Sequence, residues 1–435
     1  MPELAATPPM GWNSWDSYGT TVTEDEVLAN ARFLHDHLLD AGWDTIVVDI
    51  AWFDPFAHAH GYNDPLRPSM DAWGRLLPAP NRFPSSAGGK GFAPLADAVH
   101  ALSLKFGVHV MRGIPRAAVE QDLPVFGTEF TARQIANTGD TCVWNHDNYG
   151  LDHEHPGAQA FYDGFVAQLA SWGVDFIKAD DMLSPYHDAE IEAYARAIER
   201  CGRPIVLSLS PGTHLSTRHV EHLRQNAQMW RISDDLWDRW DDVHAQFARL
   251  ARWAPFQRSG RWADADMLPL GRIGIRAERG EPRDSRLTDD EQQTLLTLWV
   301  MGRSPLMVGG DLPSSDPRTI ELLANPWLAR VLADARDSAE IIREPQDDGE
   351  FIVWTARSAQ TPSHYVALFW TGADAVTRAV PLSAITGDPS PSNRWSVREL
   401  SAGGNSAHED AQLTSGEVRA DIPSHGVRWF AVTPA

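Results

Sequence analysis

The chain has 435 residues, 43% of them hydrophobic and 22% charged, the balance of a folded protein with a large core, which excludes disorder for the bulk of it. With 37 Lys plus Arg against 59 Asp plus Glu, the formal charge of −22 repels phosphate backbones and anionic headgroups, so neither nucleic acid nor a membrane surface is an expected partner. Only two cysteines occur, Cys142 and Cys201, which excludes a disulfide scaffold and leads us to expect two free thiols in a reducing compartment.

The opening stretch MPELAATPPMGWNSW shows neither a basic nor an apolar leader region, and no run of about 18 apolar residues appears in the chain, so a cytoplasmic protein without a membrane span is expected. Thr23 and Glu26 have capping-box spacing, and Val27, Ala31, Leu34 and Leu38 follow at helical intervals until Gly42, which predicts an amphipathic helix of about four turns. Next comes TIVVDIAW (residues 45–52), a β-branched run suited to a buried parallel strand. Similar runs follow at 107–112, 174–180, 204–210, 229–233 and 305–310, with helical patterns between them, including 157–173 and 188–201. With the segment around PPMGW, this makes seven or eight β/α units in ~340 residues and predicts an α/β fold, a (β/α)8 barrel over 1–338.

Beyond residue 338 the pattern changes to short strands, including FIVWTAR, HYVALFWTG and VRWFAV, split by clusters such as GDPSPSN. A C-terminal antiparallel β-sandwich over 339–435 is predicted.

In a barrel of this type, function gathers at the carboxyl ends of the strands. Those ends carry Asp49, Asp180, Asp181, Asp234, Asp235, Asp264 and Asp266, an acidic floor suited to acid–base work or hydroxyl binding and hostile to phosphate. Lys178 and Asp180 are two residues apart on one strand, so both should face the same side, with the lysine holding the carboxylate ionised as a nucleophile requires. Arg231 and Asp235 share parity in the same way, and Asp181 and Asp234, of opposite parity, suit caps or supporting roles. Histidines at 58, 60, 146, 153 and 155 lie in loops without helical i, i+4 spacing, so no metal and no cofactor is expected. Dinucleotide, P-loop and serine-hydrolase motifs are absent from the sequence. The high ratio of 18 Trp to 7 Tyr suits both core packing and stacking on sugar faces.

The segments TPPMGWNSWDSYG, VDFIKADD, MWRISDDLWDRW, WADADMLPLG and EQQTLLTLWVMGRSPLMVGGDL resemble, in order and over nearly the whole barrel, the α-galactosidase family, glycoside hydrolase family 27. The resemblance implies a retaining exo-glycosidase acting on α-D-galactoside-like ends. Asp180 would be its nucleophile and Asp235 its acid/base, while Trp15, Asp49, Lys178 and Arg231 would contact the sugar. This chain departs from the family pattern at three substrate-binding positions: Ile50 replaces the second carboxylate of an Asp-Asp pair, His109 a tyrosine, and Ser210 falls in a Ser-Leu-Ser-Pro segment in place of Ser-Cys-Glu-Trp. Loss of one hydroxyl grip at Ile50 makes β-L-arabinopyranoside, which has the ring configuration of α-D-galactoside without its exocyclic CH2OH, an alternative substrate; other α-glycosides are a further one. The expected partner is thus a glycoside or oligosaccharide, and a homo-oligomer stays open. Two other classes remain: a catalytically silent sugar-binding protein and a metal-dependent hydrolase built on the histidine loops.

Overall fold

Thr23 opens the first long helix as its spacing predicts: its backbone N–H donates to Glu26 Oε2 at 2.9 Å, and the helix runs Glu24–His37. The computed structural model describes residues 3–388, 394–400, 412–414 and 416–435. Eight parallel strands follow one another around the N-terminal unit: β1 (Met10–Asn13), β2 (Thr45–Val48), β3 (Lys105–Met111), β4 (Phe176–Asp180), β5 (Val206–Leu209), β6 (Met229–Arg231), β7 (Trp262–Asp264) and β8 (Leu306–Val308). The curl closes because β8 pairs with β1 on one side, while Leu268, just past β7, bridges Val308 on the other. This is the predicted (β/α)8 barrel.

Short strands fit the observed interior. Val47, Met111, Phe176, Val206, Met229, Trp262 and Met307 point inward into one buried cluster, while their neighbours of opposite parity, such as Ile46, Val108 and Ile177, pack against the outer helices. Gly107 is required by this crowding, since a Cβ there would lie 2.9 Å from the Cβ of Phe176. The helix Asp188–Cys201 matches its predicted limits, and Pro156–Ser171 starts one residue earlier than its pattern. The run at 45–52 is shortened: β2 ends at Val48, and residues 49–53 turn, with Ala51 at φ 68°. Arg82, itself buried, clamps that turn by donating to the carbonyls of Thr20 and Ala51.

The chain enters its C-terminal unit on β9 (Ala335–Gln346), followed by β10 (Gly349–Ser358), β11 (His364–Trp370), β12 (Val376–Pro381), β13 (Trp395–Glu399), β14 (Gln412–Thr414), β15 (Glu417–Ile422) and β16 (Val427–Pro434). Antiparallel pairing gives a six-stranded sheet, β9-β10-β11-β16-β13-β14, and a two-stranded sheet, β12-β15. Strand alternation explains the layering. Phe351 and Val353 join Val380, Val418 and Ile422 in the core between the two sheets, whereas Ile352, Trp354 and Ala356 on the opposite face join the barrel core. Strand β15 and the short helix Leu382–Thr386 lay outside the sequence reading. EVRADI has alternation, yet it is too polar and short to separate from a loop. Part of the turn cluster GDPSPSN falls outside the described residues.

Candidate active site

At the carboxyl ends of the barrel strands a cavity of about 430 Å³ opens to solvent, lined by Trp15, Asp49, Ile50, Lys178, Asp180 and Asp235 among others. Six of the nine residues given catalytic or substrate-binding roles from sequence thus line one cavity. The other three, His109, Ser210 and Arg231, are fully buried and hold the carboxylates from behind.

Asp180 ends β4, and every oxygen it presents inward is engaged. His109 on β3 meets its Oδ2 through Nε2 at 3.1 Å, Ser210 Oγ donates to Oδ1 at 2.9 Å, and the Asp181 amide donates to Oδ1 at 3.0 Å. Burial alone would raise this carboxyl. The His109 hydrogen bond and the nearby cationic charge of Lys178 outweigh it and keep Asp180 well below the usual carboxylate range. Since the carboxylate can only accept, His109 carries its proton on Nε2, and its Nδ1 has no protein partner. The lysine differs from expectation in its contact: Lys178 Nζ donates to Asp49 Oδ2 at 2.7 Å, so it acts on Asp180 through space. Neighbouring carboxylates outweigh burial and raise the lysine further, leaving it permanently charged.

Asp49 sits just past β2, where Asn13 Nδ2 also donates to it at 2.8 Å and its own Oδ1 accepts from the Ile50 amide at 2.8 Å. Consecutive residues of a strand face opposite ways, but the strand has already ended at Val48, so Asp49 and Ile50 both reach the cavity.

Asp235 is placed differently. Strand β6 ends at Arg231, so the parity argument does not reach Asp235, which lies in the following loop with its side chain 39% exposed. Arg231 bridges the two strand ends: Nη2 donates to Asp235 Oδ1 at 3.2 Å, and Nη1 pairs with Asp266 Oδ1 at 2.7 Å. Asp266 Oδ2 also accepts from the Leu236 amide at 2.6 Å, tying down the loop that carries Asp235. Asp16, Asp49, Asp180, Asp235, Asp264 and Asp266 gather around Lys178 and Arg231, and their roles divide. Burial pushes Asp266 up to about 7 despite Arg231, and pushes Asp16, whose Oδ2 has no partner, well above the ordinary value.

Residues 146–334 match the family model described as α-galactosidase A. Over 435 residues the chain is 25% identical to the α-galactosidase of Cyamopsis tetragonoloba, covering 99% of this chain and 87% of that one. A crystal structure of a family 27 β-L-arabinopyranosidase from Geobacillus stearothermophilus is 44% identical, covers 99% of this chain and 97% of that chain, and superposes with a TM-score of 0.93. The chain belongs to glycoside hydrolase family 27. A variant of the same Geobacillus enzyme in complex with arabinose is 43% identical, with a TM-score of 0.93.

This family 27 glycoside hydrolase uses its remaining acidic and histidine side chains separately. Asp181, at φ 60°, pairs with Arg112 Nε at 2.7 Å, the supporting position expected of it, whereas Asp234, past the end of β6 like Asp235, lines the cavity and accepts weakly from the Thr213 amide at 3.4 Å. The loop histidines disperse: His146 faces Asp64, His153 faces Glu190, and His155 caps the helix from Pro156. Among the described residues no group of three or more His, Cys, Asp or Glu could hold a metal ion. No described helix is long and apolar enough to cross a membrane, and both cysteines are free.

The sequence reading missed Tyr62, Trp144, Ser184, Glu278 and Arg279 on the cavity wall. They come from connecting segments, Trp144 from the turn between the strands Ala136–Thr141 and Asn148–Leu151, where no periodicity marks orientation. Tyr62 follows His58 and His60 in their loop and Trp144 shares its turn with His146, where an aromatic beside a barrel's carboxyl end was the available signal.

Proposed function

We propose that this family 27 enzyme is a retaining exo-glycosidase that prefers terminal β-L-arabinopyranosides and also accepts α-D-galactosides. Asp180 attacks the anomeric carbon while Asp235 protonates the departing oxygen, and Asp235 then takes a proton from the water that releases the sugar. The separate environments of the two carboxyls support this division. Asp180 is buried and kept ionised, as a nucleophile must be, and Asp235 stands in solvent reach, where a proton can return after each cycle.

The glycone preference rests on Ile50 in the cavity wall beside Asp49. An apolar side chain offers no acceptor to a hydroxyl that a carboxylate would grip. Losing a charged hydrogen bond costs about 1.5–3 kcal/mol, roughly ten- to a hundredfold against a substrate that needs it. A pentopyranose that ends in a ring CH2 loses less than a hexose. The arabinopyranosidase named among the relatives points the same way, while the retained Asp49–Lys178 pair favours α-D-galactoside as the second substrate. We assign the protein to the cytoplasm on its two free thiols, and divide the chain near residue 338, close to where β9 begins.

The test is hydrolysis of matched p-nitrophenyl β-L-arabinopyranoside, α-D-galactoside and α-D-glucoside, with the first-formed sugar followed by NMR. The highest kcat/KM on the arabinopyranoside, with retained configuration, is expected. An inverted product would remove the double displacement, and a dominant α-D-glucosidase would remove the glycone assignment.

A further inference from the structure

We propose that Trp144 is the platform on which the leaving group stacks, so that the natural substrate carries a neutral ring, a further sugar or an aryl group, on the aglycone side. This rests on the glycosidase function above and extends it to the half of the substrate that departs.

Three aromatic rings follow one another along a single wall of the cavity. Trp15 is buried, Tyr62 lies stacked on it at 6.3 Å and 20°, and Trp144 lies 6.3 Å beyond Tyr62 at 49°. Exposure grows along the row, from 5% at Trp15 to 39% at Trp144. The row therefore runs from the floor to the mouth.

Trp144 is held in place there by its neighbours. Asn145 after it and Cys142 two residues before it are buried, with Val143 between them exposed, and Asn145 exchanges hydrogen bonds with Asp147 at 3.1 and 2.8 Å. His146 Nδ1 meets Asp64 Oδ2 at 3.3 Å, which ties this loop to the one bearing Tyr62. An indole kept partly in water on a braced loop forgoes burial free energy that a rotation inward would recover. A ring from the substrate supplies the missing contact, since the apolar face of a pyranose or an aryl group fits an indole.

Position identifies which ring. The glycone occupies the deep end, beside Asp49, Lys178 and Asp180. Asp235 is the more exposed carboxyl of the pair and protonates the departing oxygen, so the leaving group extends from there toward solvent, and Tyr62, within reach of the charges of both Asp180 and Asp235, leads outward along the cavity to Trp144. Asp234, Asp235 and Glu278 line the cavity toward the mouth, where the cation among the described lining residues is Arg279, 3.6 Å from Glu278, Lys178 being bound to Asp49 at the floor. That surplus of negative charge selects a neutral leaving group over a uronic acid.

The experiment compares the same glycone joined to methanol, to p-nitrophenol, to a neutral pyranose and to a glucuronic acid. In wild type the two neutral rings should be favoured over methanol, and the neutral pyranose over glucuronic acid. Trp144→Ala should lower the ratio of kcat/KM for neutral pyranose over methyl glycoside about fivefold, the factor equivalent to ~1 kcal/mol, and Trp144→Phe should restore most of it. A ratio that Trp144→Ala leaves intact overturns the proposal. So does an equal loss of affinity for the free monosaccharide, measured as a competitive inhibitor, because it would put Trp144 in the glycone site. A wild-type enzyme that releases the glycone with no preference for rings overturns the Trp144 assignment alone; one that hydrolyses no glycoside overturns the function together with it.

Discussion

Asp180 and Asp235 occupy two differently built corners of one cavity. Asp180 closes a barrel strand and is held by three donors from β3, the loop after β5 and its own chain neighbour. Asp235 hangs on a loop four residues beyond its strand, touched by a single guanidinium at 3.2 Å. A strand end inside a parallel barrel is fixed by ladders on both sides, so side chains from adjacent strands converge on it at hydrogen-bond distance. A loop end keeps access to water at the cost of that convergence. The difference suits one carboxyl to stay charged and the other to exchange a proton.

The largest contrast should appear in substitutions of the two carboxyls. Asp180→Ala is expected to lower kcat by more than ~10³-fold, with added azide restoring turnover as a glycosyl azide of inverted configuration detected by NMR. Asp235→Ala should lower kcat/KM for substrates with sugar leaving groups by roughly 10²–10⁴-fold and spare kcat/KM for p-nitrophenyl glycosides, whose leaving group needs little protonation, while kcat falls on both because the same carboxyl takes the proton from water in the second step. Equal losses of kcat/KM on both leaving groups would erase the distinction between the corners.

A smaller effect belongs to the wall beside Asp180. Ile50→Asp restores an acceptor next to Asp49, and the ratio of kcat/KM for α-D-galactoside over β-L-arabinopyranoside should rise about tenfold, or roughly 1.4 kcal/mol. A folded variant with the parent's ratio would take Ile50 out of the specificity argument.

The smallest concerns a buried carboxyl whose proton the fold holds more tightly than water does. Burial raises the Asp16 carboxyl, with the charges of Asp266 and Asp235 adding to it. The folded protein therefore binds that proton more tightly than the unfolded chain does, and stability declines as pH climbs above the unfolded carboxyl value of about 4 toward the folded one. Asp16→Asn has nothing to titrate. Its Tm relative to wild type should improve between pH 5 and pH 8, and parallel Tm profiles across that range would show that Asp16 is ionised in the fold.

Much of this architecture is written in short-range pattern. The capping pair Thr23 and Glu26, the helix at 188–201 and the β-branched runs can be read because their partners lie within a few residues, at the 3.6 and 2.0 periods of helix and strand. The carboxylates at strand ends follow from the same alternation. What each of them touches does not. His109 meets Asp180 across 71 positions and Lys178 reaches Asp49 across 129, so the lysine next to Asp180 in sequence turns out to bind elsewhere. The early end of β2 that brings Ile50 to the cavity, the Arg231 bridge to Asp266, and the row of Trp15, Tyr62 and Trp144 arise only when the barrel closes. Periodicity specifies which side of an element a residue takes; contacts across the barrel mouth depend on strand register and on loops braced by distant groups, and no local pattern encodes either.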